Sequence, residues 1–108
     1  NLINKYKNLS KISNYKEGMK YDLVINTTPV SLKDEKISFP TNIFSASSIS
    51  YDLFYSKTIT SFQSWSKSNG ALETYDGLGM LIEQAALSYD IWNNFKPSTK
   101  QIADRLGL

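Results

Sequence analysis

Three stretches of this 108-residue sequence carry side chains able to bind or orient a polar small molecule. One is Asn26-Thr27-Thr28, an amide and two hydroxyls that run into Pro29. Another is Asp52-Leu53-Phe54-Tyr55, with Lys57 close behind. The third is Asp76-Gly77-Leu78-Gly79-Met80-Leu81-Ile82-Glu83-Gln84. Thr27 and Thr28 can serve a ligand or satisfy the backbone of their own loop. Tyr55 can offer its hydroxyl to a ligand or pack half-buried with that hydroxyl on a backbone partner. Asp52 with Lys57 has the makings of an acid/base pair, and equally of a structural ion pair.

The third stretch opens the longest helical pattern in the chain. Wound at about 100° per residue, Leu78, Leu81, Ile82, Ala85, Tyr89 and Trp92 form an apolar stripe, which predicts a core-facing helix. Gly77, Met80, Gln84 and Ser88 fall on a neighbouring stripe. Gly77 and Gln84 stand about two turns apart on nearly one line. A glycine at a helix start lets another group approach the backbone, and a long amide on the same line can hold it. The same residues also fit a plain helix with an Asp N-cap and a solvated glutamine.

The chemistry is narrowed by residues that are absent. With no histidine and no cysteine, catalytic triads and zinc sites built on those side chains are excluded within this sequence. The lack of cysteine fits a reducing compartment, and a cytoplasmic location is expected. A composition with 41% hydrophobic and 13% aromatic residues is that of a folded domain. The net charge is +2. Lys5, Lys7, Lys11, Lys16 and Lys20 gather in the first third without an arginine beside them, the pattern of a solvated surface rather than a nucleic-acid footprint. No apolar run approaches the ~20 residues that span a membrane.

The elements that would position these residues alternate. Leu2, Ile3, Tyr6 and Leu9 read as the tail of an amphipathic helix entered in mid-pattern, so the sequence is expected to be a fragment. Lys11-Ile12-Ser13 suits a short strand, followed by a polar loop with Gly18. Tyr21 to Asn26 is an apolar run expected to form a strand covered on both faces. Ser31 to Pro40 is expected to be a charged loop and Thr41 to Phe44 a single helical turn. Ser48 to Tyr55 reads as a second strand, and Thr60 to Asn69 as a helix with Phe62 and Trp65 inward, stopped at Gly70. Ala71 to Tyr75 suits a last short strand. The long helix runs to about Asn94, and Ser98 with Gln101 forms a capping box for one more helix bearing Ile102 and Leu106. The alternation predicts an α/β fold with a parallel sheet, whose ligands sit beyond the carboxyl ends of the strands.

In order, Tyr21-Asp22-Leu23-Val24-Ile25-Asn26-Thr27-Thr28, Tyr51-Asp52-Leu53-Phe54-Tyr55, Thr60, and Asp76-Gly77-Leu78-Gly79-Met80-Leu81 with Gln84 make a series that resembles shikimate dehydrogenase. The resemblance covers essentially the whole chain, and the Asp-Gly-Leu-Gly-Met-Leu block is its most specific part. It implies NADPH-dependent reduction of 3-dehydroshikimate to shikimate, in the synthesis of aromatic amino acids. By the same resemblance Tyr55 and Gln84 contact the substrate. Leu53 (through its backbone) and Gly77 lie at the nicotinamide, Thr28 lies along the cofactor, and Met80 lines the same pocket.

The departures from the family are definite. Its catalytic Lys-Asp pair, glycine-rich pyrophosphate loop and Asn-Arg-Thr segment for the 2′-phosphate are not in this sequence, so no catalytic residue is assigned to it. Lys57 stands where relatives often carry proline. The expectation is a partial Rossmann-like sheet, doubly wound and mainly parallel, followed by two carboxyl-terminal helices. Residues 1–75 would be the second half of the NADP-binding domain, and residues 76–108 a helical segment that packs back on a substrate domain. Its partners would be the substrate and the upstream half of the enzyme, with no nucleic acid and no membrane. Alone, the chain is expected to be inactive and to self-associate. A quinate/shikimate paralogue and a non-catalytic interaction module are the alternative readings.

Overall fold

The computed structural model describes residues 15–33 and 36–108; the helix tail near Leu2 and the strand at Lys11 to Ser13 lie outside them. The described chain runs β1 (Tyr21–Asn26), α1 (Val30–Lys33), β2 (Phe44–Asp52), α2 (Ser61–Ser68), β3 (Glu73–Tyr75), α3 (Leu78–Asn93) and α4 (Thr99–Leu106). The strands form one parallel sheet in the order β1-β2-β3. The α/β alternation expected from the sequence is therefore present, and the carboxyl ends of all three strands lie at one edge.

β1 follows a turn at Gly18, whose φ of +83° suits a residue without a side chain. The strand runs beside β2 with Leu23 opposite Ile49 and Asn26 opposite Asp52. A register shift lies between Tyr21 and Leu23, where Ser48 Oγ donates to the Tyr21 carbonyl at 2.6 Å and Ser45 Oγ donates to Asp22 Oδ1 at 2.7 Å. These hydroxyls bond polar groups in the interrupted stretch of the ladder. Among the described residues β1 is an edge strand and is not covered on both faces: Leu23 and Ile25 are about half exposed.

Two loop expectations need correction. Ser31 to Pro40 is not loop throughout, because Pro29 starts a helical turn in which Lys33 N–H donates to the Pro29 carbonyl at 3.0 Å. Proline's fixed φ favours a helix start. Thr41 to Phe44 is not a helical turn. Phe44 opens β2 instead, drawn into the ladder opposite Tyr21 and buried against Trp65 with ring centroids 5.6 Å apart. β2 thus begins earlier than expected and stops at Asp52, where the chain turns away.

The core lies under α2. Ile43, Phe44 and Ala71 pack with Tyr21, Val24 and Trp65, while Phe62 stacks on Trp65 at 5.6 Å and Phe39 meets both rings edge-on. Aromatic pairs in these orientations add to the burial itself. Thr60 caps α2 in a reciprocal box: its Oγ1 accepts from Gln63 N–H at 3.1 Å, and Gln63 Oε1 accepts from Thr60 N–H at 3.0 Å. Gly70, at φ +100°, turns the chain toward β3.

The apolar stripe of α3 does not face a core among the described residues. Ala86 alone is buried in this helix, while Tyr89 and Trp92 are 49% and 79% exposed. α3 packs against α4 rather than along the sheet. Its N-cap is Gly77 instead of Asp76, although Asp76 Oδ1 still accepts from Leu78 N–H at 3.1 Å. α4 begins as expected at Ser98, whose Oγ accepts from Gln101 N–H at 3.3 Å, although the returning bond of the expected capping box is not formed.

Candidate functional site

At the carboxyl edge of the sheet the organising side chain is Asp52, which is fully buried. Its Oδ1 accepts from Asn26 Nδ2 at 3.0 Å and from Phe54 N–H at 3.2 Å. Its Oδ2 accepts from Ser31 Oγ at 2.5 Å and from Thr60 Oγ1 at 2.7 Å. Donors to a carboxylate make the stronger hydrogen bonds. Here they join the end of β1, the start of α1, the loop after β2 and the cap of α2. Asp52 is therefore not half of an ion pair with Lys57, since its partners are neutral groups.

That network aims the loop after β2 at the start of α3. Leu53 N–H donates to the Asn26 carbonyl at 3.1 Å, and Gly77 N–H donates to the Phe54 carbonyl at 2.9 Å. Gly77 is buried, and a Cβ placed on it would lie 2.1 Å from the Leu53 carbonyl oxygen. No side chain fits at that distance, so glycine here is a matter of space; its φ of −80° is open to any residue. The room left by Gly77 is filled by the Leu53 peptide. The sequence pattern indicated a close approach at this glycine, and the approaching group is the chain itself.

The six residues singled out from sequence fall into separate parts of this edge. Leu53 and Gly77 are in backbone contact. Tyr55, stacked on Phe54 with centroids 6.2 Å apart, lines a cavity of about 650 Å³ with Asp76, Leu78, Gly79 and Ile82. Met80 and Gln84 share a different cavity of about 420 Å³ with Glu83, Leu87 and Lys96, as their spacing on one helical face requires. Thr28 lies beside a third cavity of about 370 Å³. There its Oγ1 and N–H both donate to Asn26 Oδ1, at 2.7 and 3.0 Å, so the turn-forming role of this threonine is present. Tyr55 and Gln84 thus open into different cavities. At the end of β3 the Tyr75 hydroxyl donates to Glu73, whose hydrogen bond and negative charge raise the phenol above its ordinary pKa.

Asn26 and Asp52 both lie in the stretches singled out from the sequence, but their bond to one another and the role of Asp52 as acceptor for neutral donors were not read there. The available signal was positional: each ends a strand, and Thr60 is a helix cap with a hydroxyl proton still to place. The residues present fit the nicotinamide end of a dinucleotide in one respect, a close-packed backbone wall at the strand ends. Among the described residues no group of His, Cys, Asp and Glu could hold a metal ion, and no helix is long and apolar enough to cross a membrane.

Comparison with known proteins converges on one family. Residues 77–106 match the family model for the shikimate 5′-dehydrogenase C-terminal domain. The NADP(+) shikimate dehydrogenase of Vibrio campbellii is 48% identical over 80% of this chain and 31% of its own length. That of Nitrosospira multiformis is 40% identical over 82% of this chain and 32% of its own. The chain therefore spans about a third of the length of these curated relatives. The crystal structure of the Ael1 enzyme from Pseudomonas putida superposes with a TM-score of 0.73, at 32% identity over 83% of this chain and 33% of that one. The shikimate dehydrogenase of Thermus thermophilus in complex with shikimate gives 0.59, at 30% identity over 81% and 34%. A shikimate dehydrogenase in complex with NADP+ gives 0.62, at 29% identity over 73% and 28%. The parallel sheet is thus part of a Rossmann-like fold. The chain belongs to the shikimate dehydrogenase family and corresponds to its carboxyl-terminal portion.

Proposed function

We propose that this chain supplies the nicotinamide-side wall and part of the substrate pocket of an NADP-dependent shikimate dehydrogenase. The enzyme would interconvert 3-dehydroshikimate and shikimate in the cytoplasm, for aromatic amino acid synthesis. The observation that carries the reading is the Leu53 carbonyl seated against Gly77 at the carboxyl edge of the sheet. Ligands of open α/β sheets bind at that edge. Residues 1–75 would complete the cofactor domain, and residues 76–108 would return to a substrate domain contributed by the rest of the enzyme.

The nicotinamide, when bound, would carry the hydride, given by NADPH to 3-dehydroshikimate and taken by NADP+ from shikimate. Leu53 and Gly77 would form the surface on which the nicotinamide rests, with Thr28 and Met80 beside the cofactor. Tyr55 and Gln84 would hold hydroxyl or carboxylate groups of the substrate, approaching it from the two cavities they line. Their contribution is orientation, because proton transfer would fall to groups outside this sequence. NADP is the cofactor in the names of the matched relatives, and both shikimate and NADP+ occur in matched crystal structures.

The test is kinetic. In a polypeptide joining the upstream portion of the Vibrio campbellii enzyme to this chain, Gln84→Ala should raise KM for shikimate about tenfold. That is the loss of roughly one hydrogen bond to a polar ligand, and KM for NADP+ should stay as in the parent. Unchanged shikimate kinetics would refute the assignment.

A further inference from the structure

We infer that Asp52 is the positioning residue of this site: its carboxylate fixes the direction in which the Leu53 peptide meets Gly77. The inference rests on the proposed dehydrogenase reading for its kinetic consequence, and on geometry alone for its structural one. Asp52 is fully buried and has no cation beside it among its bonded partners. Buried carboxylates are costly unless their acceptors are fully used. Here one oxygen holds Asn26 Nδ2 and Phe54 N–H while the other holds the hydroxyls of Ser31 and Thr60. The bond from Phe54 N–H back to Asp52 turns the chain immediately after β2 and fixes Leu53 between them.

The next bonds complete the aim. Leu53 N–H is held by the Asn26 carbonyl, and Asn26 is itself held by Asp52. The Phe54 carbonyl receives Gly77 N–H at 2.9 Å. The Leu53 carbonyl then has one place to go, the space that Gly77 leaves open. One carboxylate therefore sets three backbone segments of the site.

Asparagine has the same outline but only one acceptor oxygen. If that oxygen keeps Asn26 and Phe54, the amide group faces Ser31 Oγ and Thr60 Oγ1. Both hydroxyls donate to this position in the parent, and facing an amide NH2 group their protons would lose that acceptor. The two sides of the network cannot both be kept as they stand. Asp52→Asn should therefore loosen the Leu53–Gly77 contact while leaving the sheet in place. Thr60→Val leaves Asp52 itself in place but removes one of its donors together with the Gln63 N–H acceptor of the α2 cap; it serves if the first variant does not fold.

Two measurements decide the point. In the 108-residue chain, amide exchange at Phe54 and Gly77 should become at least about tenfold faster in Asp52→Asn, with Ser50 and Thr74 in the sheet unchanged. In the joined polypeptide described above, kcat should fall about tenfold, the scale expected for a misaimed reacting group. KM for shikimate should stay within about twofold. Phe44→Leu, a core change remote from this network, should lower thermal stability without that kinetic split. Uniform faster exchange, or kcat and KM shifting together as they do in Phe44→Leu, would reduce Asp52 to a structural residue and overturn the inference. If the parent polypeptide shows no shikimate-dependent reduction of NADP+, the functional reading fails, and the exchange measurement still decides the positioning role.

Discussion

At the scale of single residues, two glycines of one short motif behave oppositely. A Cβ on Gly77 would lie 2.1 Å from the Leu53 carbonyl oxygen, whereas one on Gly79 meets nothing within 4 Å. Gly77→Ala must displace backbone, and overpacking of that kind costs about 1–3 kcal/mol or more. Gly79→Ala should instead stabilise by about 0.5–1 kcal/mol, since alanine loses less freedom in a helix. Chemical denaturation of the two variants checks both signs; equal effects would contradict the contact. The motif was legible in the sequence because its residue types are rare in combination. What Gly77 makes room for was not legible, because the approaching carbonyl comes from a loop 24 positions earlier in the chain. Asp52 was misread for a related reason. Its nearest charge in sequence is Lys57, and the neutral donors that satisfy it come from three other segments.

At the scale of elements, local signals were reliable where the chain satisfies itself. The Ser98 cap was readable because its partner lies three residues away; the Thr60–Gln63 box has the same spacing but was found only in the structure. The register shift of β1 and the early start of β2 were not readable, since both depend on Phe44 finding Trp65 across the fold. α3 is the informative failure. Its stripe has the periodicity of a buried helix, yet Tyr89 and Trp92 on it are 49% and 79% exposed, and Leu87 and Ile91 on the other face are exposed as well. Periodicity reports that a face needs covering and not what covers it. Exposed apolar surface of this kind drives association. The chain alone is expected to self-associate, and replacing Ile91 and Trp92 together by serine should reduce this. Light scattering checks it; a parent that remains monomeric at high concentration would contradict the prediction.

At the scale of the whole molecule, apolar side chains stand uncovered on more than one described element, among them Leu23 and Ile25 of β1 and Trp92 of α3. The chain also spans about a third of the length of its curated relatives, and in the proposed reading the remaining groups of the site come from outside this sequence. The central claim is that its strand ends provide half of a dehydrogenase site. The most direct measurement is shikimate-dependent reduction of NADP+ by this chain, by the upstream portion of the Vibrio campbellii enzyme, and by the two mixed. The account predicts activity in the mixture and in neither part alone. Association of the two parts without any turnover of shikimate would contradict it.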